Sequence, residues 1–372
     1  MRWKRWACSL GLGLALASSS VHAQQGSPGA ALGAAVPPPG CATPFPGPGV
    51  LPGPAPGQPD AGQPPAAQPP STDAFAQAPP AGGAETGGFN PSMFGDQLGH
   101  SISSSSSSNR PAALATAIRG AYKITENDGP RPQDRVFFTY NYFNNVGGSQ
   151  RADGTPQTDL HREMIGVEKT FLDGNASIQL RLPFIQVSGG GGASHSDVGD
   201  LTIFLKYAMI NDRATGNVLT AGLGVTAPTG GDFISGGASG LRSTLLQPYI
   251  GAIYNIGDLY IQGFTSFIVP TDSRDVTFWN NDIGFGYWLY RDNNSDRLLT
   301  YIVPTLEFHL SDPLNHQGSK ATPIGGIDLL DLTVGVNFGL GSSSNLGFAV
   351  VTPLTGPKPF DVEGQAYFNW RF

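Results

Sequence analysis

Between Arg135 and Phe372 the chain reads as runs of alternating apolar and polar residues, separated by clusters of Gly, Asn, Asp, Ser and Pro. Ile178, Leu180, Leu182 and Phe184 alternate with Ser177, Gln179, Arg181 and Pro183. Leu201, Ile203, Leu205 and Tyr207 alternate in the same way with Asp200, Thr202, Phe204 and Lys206, and Leu330 to Phe338 repeats the pattern. A period of two places each set on its own face of a β-strand. Twelve such runs occur, the first from Arg135 to Val146 and the last from Val362 to Phe372.

Alternation also suits a soluble sandwich, with its apolar faces turned inward. Three features point to a membrane barrel instead. Long and short connections alternate, as long outer loops and short periplasmic turns require. An even strand number returns both ends of the barrel to one side of the membrane. Ala366, Phe368, Trp370 and Phe372 share one face of the last run, and Phe368, Trp370 and Phe372 resemble the terminal aromatic signal read by the barrel-assembly machinery. The runs match the 9 to 11 residues or so that a tilted strand needs to cross the hydrocarbon. The expected fold is all-β, a transmembrane up-and-down antiparallel β-barrel of about twelve strands.

Val198 to Tyr207 (VGDLTIFLKY), Leu219 to Gly230 (LTAGLGVTAPTG) and Leu180 to Phe184 (LRLPF) resemble the outer-membrane transporter family named for the phenol-degradation MetA pathway. The resemblance covers Glu163 to Phe372. It implies a small exported barrel with a transport role and identifies no solute.

The N-terminal third has a different character. Arg2, Lys4 and Arg5, the apolar stretch Trp6 to Ala17, and Val21-His22-Ala23 form an export signal over residues 1–23 with a cleavage site before Gln24. Residues 24–109 are dominated by Pro, Gly, Ala, Gln and Ser, the composition of a disordered linker. Residues 110–134 hold a short helix over Arg110 to Arg119, capped by Asn109 and stopped by Gly120, and a lead-in that could plug a pore or dock on its rim. The barrel occupies 135–372. Cys8 leaves with the signal, so Cys41 is a lone thiol.

Charged residues make up 13% of the chain, against roughly 25% in soluble domains. The net charge of −7 argues against a nucleic-acid partner, which wants clustered positive charge. If the apolar stripes face lipid, the opposite parity aims Arg162, Glu168, Arg181, Asp200, Lys206, Asp282, Glu307, Asp331, Glu363 and Arg371 into the lumen. Such a set either lines the path of a small solute or pairs across a filled interior, making the barrel an anchor for its linker. His309 and Ser311 with Asn315 invite comparison with outer-membrane lipases, yet His309 shares the inward parity of Glu307 and Ser311 opens a Pro-containing loop. Gly189 to Gly192 lacks the Lys-Ser/Thr of a phosphate loop, and His195 with Asp197 offers too few ligands for a metal. No cofactor, metal or catalytic motif is read. The expected partners are outer-membrane lipid, the assembly machinery and a small solute, and the expected location is the outer membrane.

Overall fold

The computed structural model describes residues 90–96, 101–103, 122–146, 157–189, 195–230, 243–292, 297–317 and 324–372. The signal, most of the linker and the expected helix over Arg110 to Arg119 lie outside these residues.

Twelve barrel strands follow one another: β1 Arg135–Asn144, β2 Thr158–Phe171, β3 Ala176–Gly189, β4 Leu201–Asn211, β5 Val218–Ala227, β6 Leu245–Ile256, β7 Leu259–Pro270, β8 Phe278–Tyr287, β9 Leu299–Pro313, β10 Leu329–Leu340, β11 Ser344–Pro353 and β12 Val362–Arg371. Each pairs antiparallel with the next, and β12 pairs with β1 from Val362↔Asn144 to Arg371↔Arg135, so the ladder closes with no free edge. Two short strands pair outside this ring, Ser101–Ser103 with Ile324–Gly326, while His195–Val198 adds to β3 and Tyr290–Arg291 to β9. No helix occurs among the described residues.

Most strand boundaries shift by one to four residues from the sequence reading, and two of the shifts change what the connections hold. The alternation in the sequence runs from Trp279 to Tyr290, but strand β8 ends at Tyr287, so the connection to β9 is longer than the short turn that alternation leaves. Trp288 fills the space, its ring packing against Tyr260 and Tyr301. Strand β9 runs on to Pro313, which puts Ser311 inside the strand, hydrogen-bonded to Asn280, and not at the start of a loop.

Period two sorts the side chains as expected. Outward positions are apolar and exposed, among them Phe138, Ile165, Leu180, Leu205, Ile250, Phe267, Ile283, Leu306, Val334 and Val350. Glu163 is a charged exception on this face. Inward positions at mid-barrel are buried and mostly polar, with aromatics such as Phe204 and Phe264 among them. At the long-loop end they turn apolar, where Phe143, Val146, Leu160, Ile185, Val187, Val351 and Phe360 form an inner collar.

The lumen is filled by the chain's own lead-in. Residues Asn90 to Asp96 and Tyr122 to Gln133 are buried throughout. They run against each other through the bond from Met93 N to Asp128 O, 2.7 Å. Composition assigned Asn90 to Asp96 to the linker, and this boundary is corrected: Met93 and Phe94 supply the apolar surface that Pro/Gly-rich neighbours lack. Met93 packs with Ile124, Phe204, Tyr249 and Phe264, and Phe94 with Ala349 and Tyr367.

Candidate functional site

The site is the contact between this plug and the barrel wall. Strands β1 to β4 carry inward Arg135, Arg162, Arg181 and Lys206, and all four reach acids of the plug turn. Asp128 is the hub. Its carboxylate accepts from Arg135 Nη2 at 3.0 Å, Arg181 Nη2 at 2.6 Å, the backbone N–H of Gly129 at 2.7 Å, and Lys206 Nζ. Glu168 on β2 closes the network, 2.9 Å from Arg135 Nε and 3.0 Å from Lys206 Nζ. Arg162 bonds Glu126 while its guanidinium lies 4.5 Å from the centre of the Tyr122 ring, a cation–π contact.

The two plug acids are buried alike and shifted oppositely. Burial pushes Glu126 up to about 7, with the single bonded cation Arg162 pulling against it. Burial pushes Asp128 the same way, but Lys206, Arg135 and Arg181 together hold it below the usual carboxylate range.

The other arc of wall is acidic. Asp282 on β8, Glu307 on β9, Asp331 on β10 and Glu363 on β12 all point inward and are buried. Here the plug presents donors. Lys123 Nζ sits 2.6 Å from Asp96 and 2.7 Å from Asp282. Glu307 accepts the backbone N–H groups of Phe94 and Gly95, each at 3.0 Å. His309, also on β9, places Nδ1 2.9 Å from Asp282 and Nε2 3.2 Å from Glu307. Glu363 accepts from Asn141 at 2.7 Å and Gln365 at 2.9 Å. Glycine makes one part of this seat. A Cβ on Gly335 would lie 2.4 Å from a ring carbon of Phe94, so the wall is shaved where the plug's aromatic lies.

Nine of the ten residues expected to line the lumen are buried: Arg162, Glu168, Arg181, Asp200, Lys206, Asp282, Glu307, Asp331 and Glu363. Asp200 lies away from the hub and accepts the N–H of Gly230 at 2.8 Å. Arg371 is half-buried at the end of β12. Phe368, Trp370 and Phe372 share the exposed outer face. His309 and Ser311 are not brought together, since Ser311 Oγ donates to Asn280 and His309 faces carboxylates.

The sequence reading missed Asp96, Lys123, Glu126, Asp128 and Arg135. A signal existed: Lys123 to Arg135 holds six charged residues, Lys123, Glu126, Asp128, Arg131, Asp134 and Arg135, in a chain only 13% charged.

No family model matches the chain, and no curated protein matches it. Among solved structures it is similar to the COG4313 outer membrane channel from Pseudomonas putida F1, at 13% identity over 66% of this chain and 97% of that one, with a TM-score of 0.49. The beta domain of the Bordetella autotransporter BrkA follows at 10% identity over 64% and 99%, TM-score 0.40. The KdgM porin follows at 8% identity over 64% and 99%, TM-score 0.38. The barrel assignment rests on the chain's own closed ladder.

Proposed function

We propose that the chain is an outer-membrane channel, closed at rest by its own N-terminal plug and opened for a small solute when the plug withdraws. The carrying observation is charge complementarity across the plug–wall contact. Wall cations of β1 to β4 meet Glu126 and Asp128, whereas the acidic arc of β8 and β9 meets Lys123 and backbone N–H groups. The ion pairs of this contact can separate, because water resolvates each charge on both surfaces, whereas the apolar contacts of Met93 and Phe94 have no such compensation and favour the closed state. The apolar inner collar above a charged mid-lumen suits an amphipathic solute. The resemblance to the MetA-pathway transporters supports the same role.

The outer face supports the membrane location. Leu306, Val334 and Val350 are cross-strand neighbours, and all are exposed apolar side chains. Val334→Arg is expected to lower folding stability in lipid by about 2–4 kcal/mol, as charge near the bilayer midplane does. Urea unfolding in lipid vesicles checks this; an unchanged midpoint would remove the bilayer reading.

A second reading, an anchoring barrel with a permanently filled lumen, draws on the completeness of the plug contact. Deleting residues 90–133 separates the two. The deleted protein is expected to give steady single-channel currents in planar bilayers, while the full chain gives only rare openings. Heat-modifiable gel mobility reports whether each is folded. A folded, plug-free barrel that carries no current would favour the anchor.

A further inference from the structure

Asp282, His309 and Asp331 lie side by side on the acidic wall. Asp282 is the register partner of His309 across β8 and β9, and His309 is the partner of Asp331 across β9 and β10. Asp96 of the plug joins them, its carboxylate 3.6 Å from His309 Nδ1. Ligand atoms of Asp96, Asp282 and His309 all fall within 4.8 Å of one another, and all three residues are buried. Four carboxylates, Asp96, Asp282, Glu307 and Asp331, gather here around one ammonium, Lys123, and one imidazole. With all four carboxyl groups ionised and the imidazole protonated, four negative charges would face two positive ones.

The shortfall shows in the hydrogen bonding. Asp331 is fully buried, yet neither of its oxygens has a hydrogen-bond partner, and Asp96 Oδ2 and Asp282 Oδ2 also lack one. An uncompensated buried carboxylate is costly, and buried acids in proteins pair with a cation or coordinate a metal. Lys123 already uses the other oxygens of Asp96 and Asp282.

From this cluster we infer a site for a divalent first-row transition ion, Zn²⁺ or Mn²⁺ in kind, that clips the plug to the wall. The ligands are a carboxylate oxygen each of Asp96 and Asp282 together with His309 Nδ1, and the unpartnered Asp331, register partner of His309 on β10, stands beside them as an outer-sphere acid. Carboxylates with a single imidazole suit these ions. On binding, the imidazole releases its Nδ1 proton to solvent and keeps Nε2–H, whose nitrogen lies 3.2 Å from a Glu307 oxygen but outside hydrogen-bond geometry. Glu307 is itself fixed by the N–H groups of Phe94 and Gly95. Ligand distances of about 2.0–2.2 Å call for donors roughly 3.3 Å apart, closer than the 4.8 Å within which they lie in the structure. Because Asp96 belongs to the plug and the other ligands to the wall, the ion stabilises the closed state. This consequence rests on the gated-channel reading; the site itself does not.

The test titrates metal-stripped, full-length protein in detergent with Zn²⁺ near neutral pH by calorimetry. Folded fractions are matched by gel mobility. One ion per chain is expected. Asp96→Asn, His309→Gln and Asp331→Asn should each weaken binding about tenfold or more, and Glu163→Gln on the outer face should not. X-ray absorption at the zinc edge should show one nitrogen among oxygen ligands. No stoichiometric uptake, or uptake unaffected by all three variants, overturns the site. A pocket neutralised by protons alone overturns it too, and would take up no zinc while melting at higher temperature as pH falls. Conductance is a separate arm. Zn²⁺ should suppress the rare openings of the full chain and leave the current of the plug-deleted barrel unchanged. Zinc bound without any effect on conductance would keep the site and reject the gate.

Discussion

Asp128→Asn is expected to release the plug, the largest effect of any single substitution in the lumen. Asp128 is shared by Arg135, Arg181 and Lys206, all fully buried. Glu168 still serves Arg135 and Lys206 in the variant. Arg181 keeps only neutral partners, the side chain of Gln179 and the carbonyl groups of Lys123 and Ile124. Breaking a buried pair by removing one partner costs on the order of 3 to 5 kcal/mol, because the other charge is left uncompensated. The plug can relieve this by withdrawing, letting water reach the guanidinium. Open probability in planar bilayers should therefore rise by orders of magnitude while the barrel stays folded. A lower melting temperature with no new conductance would mean that the plug is part of an inseparable core.

Replacing Trp370 and Phe372 together with serine is expected to cut the amount of assembled barrel severalfold, far more than deleting Gln25 to Pro80. Both aromatics stand on the outer face, 49% and 56% exposed, with ring centroids 5.9 Å apart. Strand β12 must close against β1, and Phe372 N donates to Asp134 O at 3.3 Å where that seam ends. Aromatic side chains favour the membrane interface, so they hold the closing strand at the right depth. The twelve strands of the closed ring all lie within residues 135–371, outside the deleted stretch. Quantifying the heat-modifiable band in outer-membrane fractions checks this, and equal losses from both changes would refute it.

Much of the barrel was legible before any coordinates. The period of two is a local property, so Leu330, Leu332 and Val334 disclose a strand without reference to what they touch. The same parity that turns Val334 outward turns Asp331 and Glu307 inward, and the structure buries both. Boundaries were less legible, because a strand's end depends on its partner. β9 continues through Ser311 since β8 offers Asn280 opposite it.

The plug was not legible in the same way. Phe94 meets Glu307 across 213 positions, Lys123 meets Asp282 across 159, and Asp128 meets Lys206 across 78. No periodicity links such residues. Asn90 to Asp96 has too few apolar side chains to announce a core segment, and it is buried because a closed wall surrounds it and receives Met93 and Phe94 in apolar clusters. Sequence alone determined the strands, their number and the face each charge takes, because backbone pleating acts from one residue to the next. The tertiary structure decided what those charges bind, because a buried charge takes its partner from whatever segment the closed barrel encloses.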